Sequence, residues 1–182
     1  MRARAASLLL ALVPLEGGAQ PASESPTLIL GTVASDPGTT ATIPLYYQGA
    51  SAQALRSVHL EVEFVSNSVK FSRAQKGAAA QVQDFDLVVE EREQPPDDKG
   101  IRRSRLTINV SAPSAAALPE GLWAFLDFSV PPDAKAFSIA LNPVVALARD
   151  TNGAAVSVVA EAGKIIVAVP EAPLATCFFF TH

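Results

Sequence analysis

A chain of 182 residues, 49% of them apolar, is long enough to bury one sizeable core and has the length of a single domain. With 14 basic against 18 acidic residues, the net charge of -4 gives no electrostatic basis for nucleic-acid binding, which needs clustered Lys and Arg. No apolar stretch approaches the roughly 20 residues that span a membrane, so a membrane span is excluded as well.

The N-terminus reads as an export signal over residues 1–19. Arg2 and Arg4 form a positive start, Ala5 to Val13 a short apolar run closed by Pro14, and Gly17-Gly18-Ala19 a small-residue cleavage site. Residues 20–26 then read as a disordered lead-in, and the mature domain spans 27–169. Thr27 to Val33 is the first expected strand, with Asp36-Pro37-Gly38 as the turn after it. Thr40 to Tyr47 follows, and Pro44 within it argues for an edge position or a bulge.

The next strand has the clearest alternation in the chain. Val58, Leu60, Val62 and Phe64 point to a core, while Ser57, His59, Glu61 and Glu63 point to solvent. Phe85 to Glu91 is a further strand, and Gln94 to Gly100 an exposed loop. Arg103 to Val110 alternates again: Leu106, Ile108 and Val110 face in, and Arg105, Thr107 and Asn109 face out. The one basic cluster, Arg102-Arg103-Ser104-Arg105, is therefore read as the wet side of a strand.

Ser111 to Leu118 is Ala-rich and suits a helical turn. Leu122 to Val130 is a long strand, opened by Pro119-Glu120-Gly121 and closed by Pro131-Pro132. Within it Trp123 and Phe125 share one side by period 2 and Phe128 takes the other, which predicts a bulge or an exposed aromatic. Val144 to Ala148 and Ala155 to Val159 flank Asn152-Gly153, a hairpin signal because both residues tolerate positive φ. Lys164 to Val169 ends the domain, and 170–182 is a C-terminal tail holding an apolar run, Leu174 to Phe180, and Cys177, the one cysteine. Eight or nine short strands without an amphipathic helix or internal repeat predict an all-β fold, an antiparallel sandwich.

Little in the sequence suits catalysis. The histidines are His59, on the polar side of a strand, and the terminal His182, and no G-x-S-x-G elbow is present. Glu61 and Glu63 lie about 7 Å apart by strand rise, but a carboxylate pair on a flat exposed strand lacks the desolvation that raises one pKa. Asp150-Thr151-Asn152-Gly153 opens like a calcium loop and Glu161 falls at its twelfth position. Ala154 and Ala155, however, occupy positions that need a ligand and a glycine. No catalytic residue, metal site or cofactor is expected.

Four stretches of the chain resemble the cohesin family. The first is Leu30-Gly31-Thr32-Val33 through Pro37-Gly38 to Ile43-Pro44-Leu45-Tyr46-Tyr47, similar to an opening "G-x-V … x-G-x-x-V-x-I-P-V". The second is Leu55 to Phe64 with Asn67, Val69 and Phe71 after it, and the third Gly121 to Phe128, similar to "G-x-x-A-x-I-x-F". The Asn152-Gly153 hairpin and Gly163 to Val167, similar to a closing "G-x-I-x-V", complete the set. The chain departs from the family at Ser57 and His59, where Asn and Asp are usual, at Ala112 and Pro113, where acids are usual, and at Phe64-Val65-Ser66 in place of "Y-D-P".

The resemblance implies a jelly-roll of about nine strands, related to carbohydrate-binding modules. It further implies a secreted, non-catalytic module whose partner is a dockerin-like protein, with calcium on the partner's side, in an extracellular assembly related to polysaccharide degradation. The partner-binding residues it implies are Ser57, His59, Glu61, Glu63, Arg105, Thr107 and Asn109. The alternatives are a carbohydrate-binding module and a purely structural surface domain.

Overall fold

The computed structural model of the protein describes residues 25–50, 53–113, 116–135 and 137–168. The expected signal peptide, most of the lead-in, and the tail with Cys177 lie outside the described residues. The described chain forms β1 (Thr27–Leu30), β2 (Thr32–Ser35), β3 (Thr40–Gln48), β4 (Leu55–Val65) and β5 (Lys70–Lys76), then a single helical turn α1 (Ala79–Val82). There follow β6 (Asp86–Glu93), β7 (Arg103–Ser111), β8 (Gly121–Ser129), β9 (Phe137–Asp150), β10 (Ala155–Val156), β11 (Val159–Glu161) and β12 (Gly163–Val167). Two sheets result, with strand orders β11-β1-β3-β8-β5 and β2-β12-β9-β4-β7-β6, and β10 hangs on β9.

The first expected strand is in fact two. At Gly31 the chain leaves one sheet for the other, and the C-terminal strand does the same at Ala162, between β11 and β12. The ends then pair in parallel, β1 with β11 and β2 with β12, so both sheets are mixed while every other pairing is antiparallel. Counting each split strand once and setting aside the two-residue β10 recovers the nine strands expected. The crossing needs glycine because the backbones touch: a Cβ on Gly163 would lie 2.5 Å from the Gly31 carbonyl oxygen, and one on Gly31 2.6 Å from Pro44 Cγ. Gly31 N–H donates to the Pro44 carbonyl (2.8 Å), on the side where β1 has left the sheet, so the missing N–H of Pro44 costs no ladder bond.

Between the sheets lies one continuous core. Leu28, Leu30, Ile43, Leu45 and Tyr47 come from the first sheet, and Leu60, Val62, Phe64, Leu106, Ile108, Leu141 and Ile165 from the second. In β8 the side chains of Trp123, Ala124, Leu126 and Phe128 are all buried, which strict alternation forbids. A bulge resolves the conflict. The register against β3 slips between Leu45↔Ala124 and Tyr46↔Leu122, leaving Trp123 as an extra residue turned inward. Its indole N–H donates to the Pro119 carbonyl at 2.7 Å, and its ring lies 4.6 Å from that of Tyr47. Phe128 packs edge-on to Phe64 of the facing sheet, centroids 5.3 Å apart. Phe125, grouped with Trp123 by period 2, is half-buried on the outer face instead.

Two further elements differ from expectation. A helical turn not expected from the sequence forms at α1; the Ala-rich stretch lies in part, at 114 and 115, outside the described residues, and at its two ends Ala112 and Leu118 donate backbone N–H groups to the Arg56 and Leu55 carbonyls. The strand expected at Val144 to Ala148 begins seven residues earlier, at Phe137, and runs through Pro143. Proline is tolerated there because Val144 is a bulged extra residue, between Glu61↔Val145 and Val62↔Pro143. The Asn-Gly hairpin forms as expected, with Gly153 at φ 85 and Asp150 Oδ1 accepting the N–H groups of Asn152 and Ala154.

Candidate docking face

The outer face of the second sheet is an ordered grid, because pairing places residues from four strands in rows. Register aligns Leu147, His59, Asn109 and Val88 in one row, and Val145, Glu61, Thr107 and Glu90 in the next. Flanking rows hold Arg149, Ser57, Ser111 and Asp86 on one side and Asn142, Glu63, Arg105 and Arg92 on the other. All seven residues expected to meet a partner therefore stand on one surface, in the two central strands, each of them half-buried. Their inward neighbours on β4 and β7 are fully buried, which fixes the orientation of both strands.

Five of the seven are joined in one chain of contacts. His59 Nδ1 lies 2.8 Å from Asn109 Oδ1, and its Nε2 is 3.4 Å from Glu61 Oε1. Arg105 lies between the two glutamates, donating from Nη1 to Glu61 Oε2 (3.0 Å) and from Nη2 to Glu63 Oε2 (3.4 Å). Glu63 is further met by Arg103 Nη1 at 3.5 Å and by the Gln94 amide at 3.4 Å. Each glutamate oxygen thus faces a donor from within the protein. Arg92, directly opposite Arg105, would repel it, and the glutamates draw Arg105 the other way. Ser57 and Thr107 have no side-chain hydrogen bond among the described residues.

This arrangement is poorly suited to acid–base catalysis. Both carboxylates are engaged by Arg105, so their oxygens are already committed to donors within the protein. Both ring nitrogens of His59 likewise face groups of the protein itself, Asn109 Oδ1 and Glu61 Oε1.

Sequence reasoning missed the flanks of the face. Leu147 on β9 is 62% exposed and Val88 on β6 is 49% exposed, so the polar row His59–Asn109 has a protruding apolar side chain at each end. Arg149, Arg92 and Val145 complete those flanks. The bulge at Val144 shifts the parity of β9, so simple alternation along that strand could not have sorted its faces.

The outer face of the first sheet has a different character. Ile29, Tyr46 and Leu122 form an apolar row, and Tyr46, at 40%, is the exposed aromatic side chain among the described residues. Two rows further along the same face, Asp127 is covered by Thr42, Arg73 and Gln75, whose side chains donate to its carboxylate at 2.7, 2.9 and 3.0 Å. Burial alone would raise the Asp127 pKa, but these three donors outweigh it and hold the carboxyl below its ordinary range.

A two-sheet jelly-roll with split terminal strands paired in parallel defines the class of the protein: a β-sandwich with one polar sheet face. No family model and no curated protein matches the sequence. Solved structures do match. A type I cohesin–dockerin complex from Clostridium thermocellum superposes with a TM-score of 0.62 at 15% identity, covering 83% of this chain and 98% of that one. The sixth cohesin of scaffoldin B from Acetivibrio cellulolyticus, in complex with a dockerin, gives a TM-score of 0.61 at 14% identity, covering 79% and 99%. A non-cellulosomal cohesin from the archaeon Archaeoglobus fulgidus gives 0.58 at 17% identity, covering 81% and 94%. The fold of this protein is the cohesin fold.

Proposed function

We propose that the protein is a secreted, non-catalytic cohesin-type module that docks a dockerin-type protein partner on the β9-β4-β7-β6 face, with any calcium held by the partner. The observation that carries this reading is the face itself. Its central polar groups are tied together, and it is flanked by exposed Leu147 and Val88. Such a surface suits a protein partner, since apolar anchors beside a preorganised polar network lose little side-chain entropy on association. The cohesin fold, seen elsewhere in complexes with dockerins, supports the same reading. The expected setting is extracellular, in an assembly related to polysaccharide degradation.

The carbohydrate-binding alternative has less support, because flat sugar platforms use several aromatic rings and Tyr46 stands on the other sheet with no second exposed ring among the described residues. The test is calorimetry of the purified domain against a panel of recombinant dockerin modules, with and without EDTA, and in parallel against insoluble cellulose. Calcium-dependent, saturable binding to at least one dockerin is the expected result. Retention on cellulose with no dockerin bound across the panel would overturn the proposal.

A further inference from the structure

Resting on that docking reading, we infer that the upper part of the face takes an acidic side chain of the partner, in the hollow between Arg149 and His59. The hollow has a volume of about 380 Å³ and is lined by Ser57, His59, Asn109, Ser111 and Arg149, with Leu147 and Val156 among its apolar walls. Every ionisable side chain lining it is basic. Arg149 has no ion-pair partner among the described residues; its Nη1 donates to the Gly153 carbonyl at 2.9 Å, which steadies the guanidinium over the hairpin and leaves its other N–H groups for a ligand. The Ser57 and Ser111 hydroxyls, side by side in the register, are likewise without side-chain hydrogen bonds.

The acids near the hollow do not compete for these donors. Glu61 is held by Arg105 one row away. Asp150 uses Oδ1 to accept two backbone N–H groups of its own turn. Asp86 ends the Arg149 row, three strand spacings or about 14 Å from Arg149. A carboxylate entering the hollow would meet a planar guanidinium and two hydroxyls, a donor set suited to bidentate recognition, beside an imidazole whose nitrogens already face Asn109 and Glu61. Leu147 at the rim would shield that contact from water once a partner is seated, and a shielded charge pair is stronger than an exposed one. An ammonium group would find like charge and no acceptor carboxylate. Glu61 and Glu63 are thus neutralised from within, and the charge offered around the hollow is positive.

The test is a chemical-shift titration of the isotope-labelled domain with N-acetyl-glutamate amide, N-acetyl-lysine amide and D-galacturonate, repeated on Arg149→Gln and on Ser57→Ala. The glutamate probe should move the Arg149 side-chain, Asn109 amide and Ser111 resonances along saturable curves. Its affinity should fall at least about 5-fold in Arg149→Gln and less in Ser57→Ala, and the lysine probe should leave these resonances in place. Equal response to the lysine probe, no response to the glutamate probe, or an unchanged titration in Arg149→Gln would overturn the inference. Tighter binding of galacturonate than of the glutamate probe would overturn its assignment to a protein side chain. Neither result depends on whether any dockerin binds in calorimetry, so failure here is distinct from failure of the docking proposal.

Discussion

Removing the Asp127 carboxylate should destabilise the fold by about 2 kcal/mol while leaving the candidate docking face untouched, because the two lie on opposite outer faces. Asp127 is 4% exposed and accepts from Thr42, Arg73 and Gln75. A hydrogen bond to a charged group contributes about 1.5–3 kcal/mol where partners are well shielded. The three do not simply add. Arg73 is 68% exposed, so its ion pair is screened and contributes under about 1 kcal/mol, and Arg73 regains water when Asp127 is lost. For Asp127→Ala the expected loss is therefore near one full charged bond, a drop in Tm on the order of 6 °C for a domain of this size.

The pH dependence carries a definite sign. The folded-state pKa is depressed, so the contribution is fully present above the unfolded value of about 3.9 and is lost as pH falls through the folded value. Urea denaturation of wild type and Asp127→Asn at pH 7 and pH 3 should show the stability gap narrowing at the lower pH. A loss under about 0.5 kcal/mol at pH 7, or a gap that widens on acidification, would refute the account of Asp127 as a carboxylate held by its donors.

Other consequences concern the crossing and the face. Gly163→Ala should cost at least about 2 kcal/mol, since its Cβ would lie 2.5 Å from a backbone oxygen that cannot rotate away; thermal denaturation within about 0.5 kcal/mol of wild type would show that the crossing is looser than described. Arg105→Ala should leave Glu61 and Glu63 facing each other without their clamp, lowering stability by about 1 kcal/mol at low salt and less at high salt. Chemical denaturation at two salt concentrations reads that difference, and a salt-independent loss would point to packing of the arginine stem instead.

Much of the fold was legible where burial is one-sided. From Val58 to Phe64 on β4 and from Leu106 to Val110 on β7 the inward residues are apolar and their outward neighbours polar, buried Ser104 being the exception at the start of β7, so period 2 alone oriented both strands and with them the seven candidate residues. Legibility failed where backbone irregularity resets the period. The extra residue at Trp123 turned a parity conflict into a bulge, and the one at Val144 concealed both the length of β9 and the exposure of Leu147. β5 escaped notice because Lys70–Lys76 is a polar edge strand with little apolar alternation to detect. The sheet switch at Gly31 could not be read either, because the close approaches that demand glycine there, of Gly31 to Pro44 and of Gly163 to the Gly31 carbonyl, arise only once separate strands are paired. In the candidate site the sequence showed which charges share a face but not that Arg105 bridges two glutamates, since that depends on register between strands.

The central claim is that a protein partner docks on the β9-β4-β7-β6 face, and paired surface substitutions test it most directly. Leu147→Asp and Tyr46→Asp both place a charge at an exposed position, one on each outer face, and neither should disturb the core. Titration of each variant with a dockerin module that binds the wild type should show at least a 10-fold loss for Leu147→Asp and an unchanged affinity for Tyr46→Asp. The reverse pattern, or equal losses in both, would contradict the account.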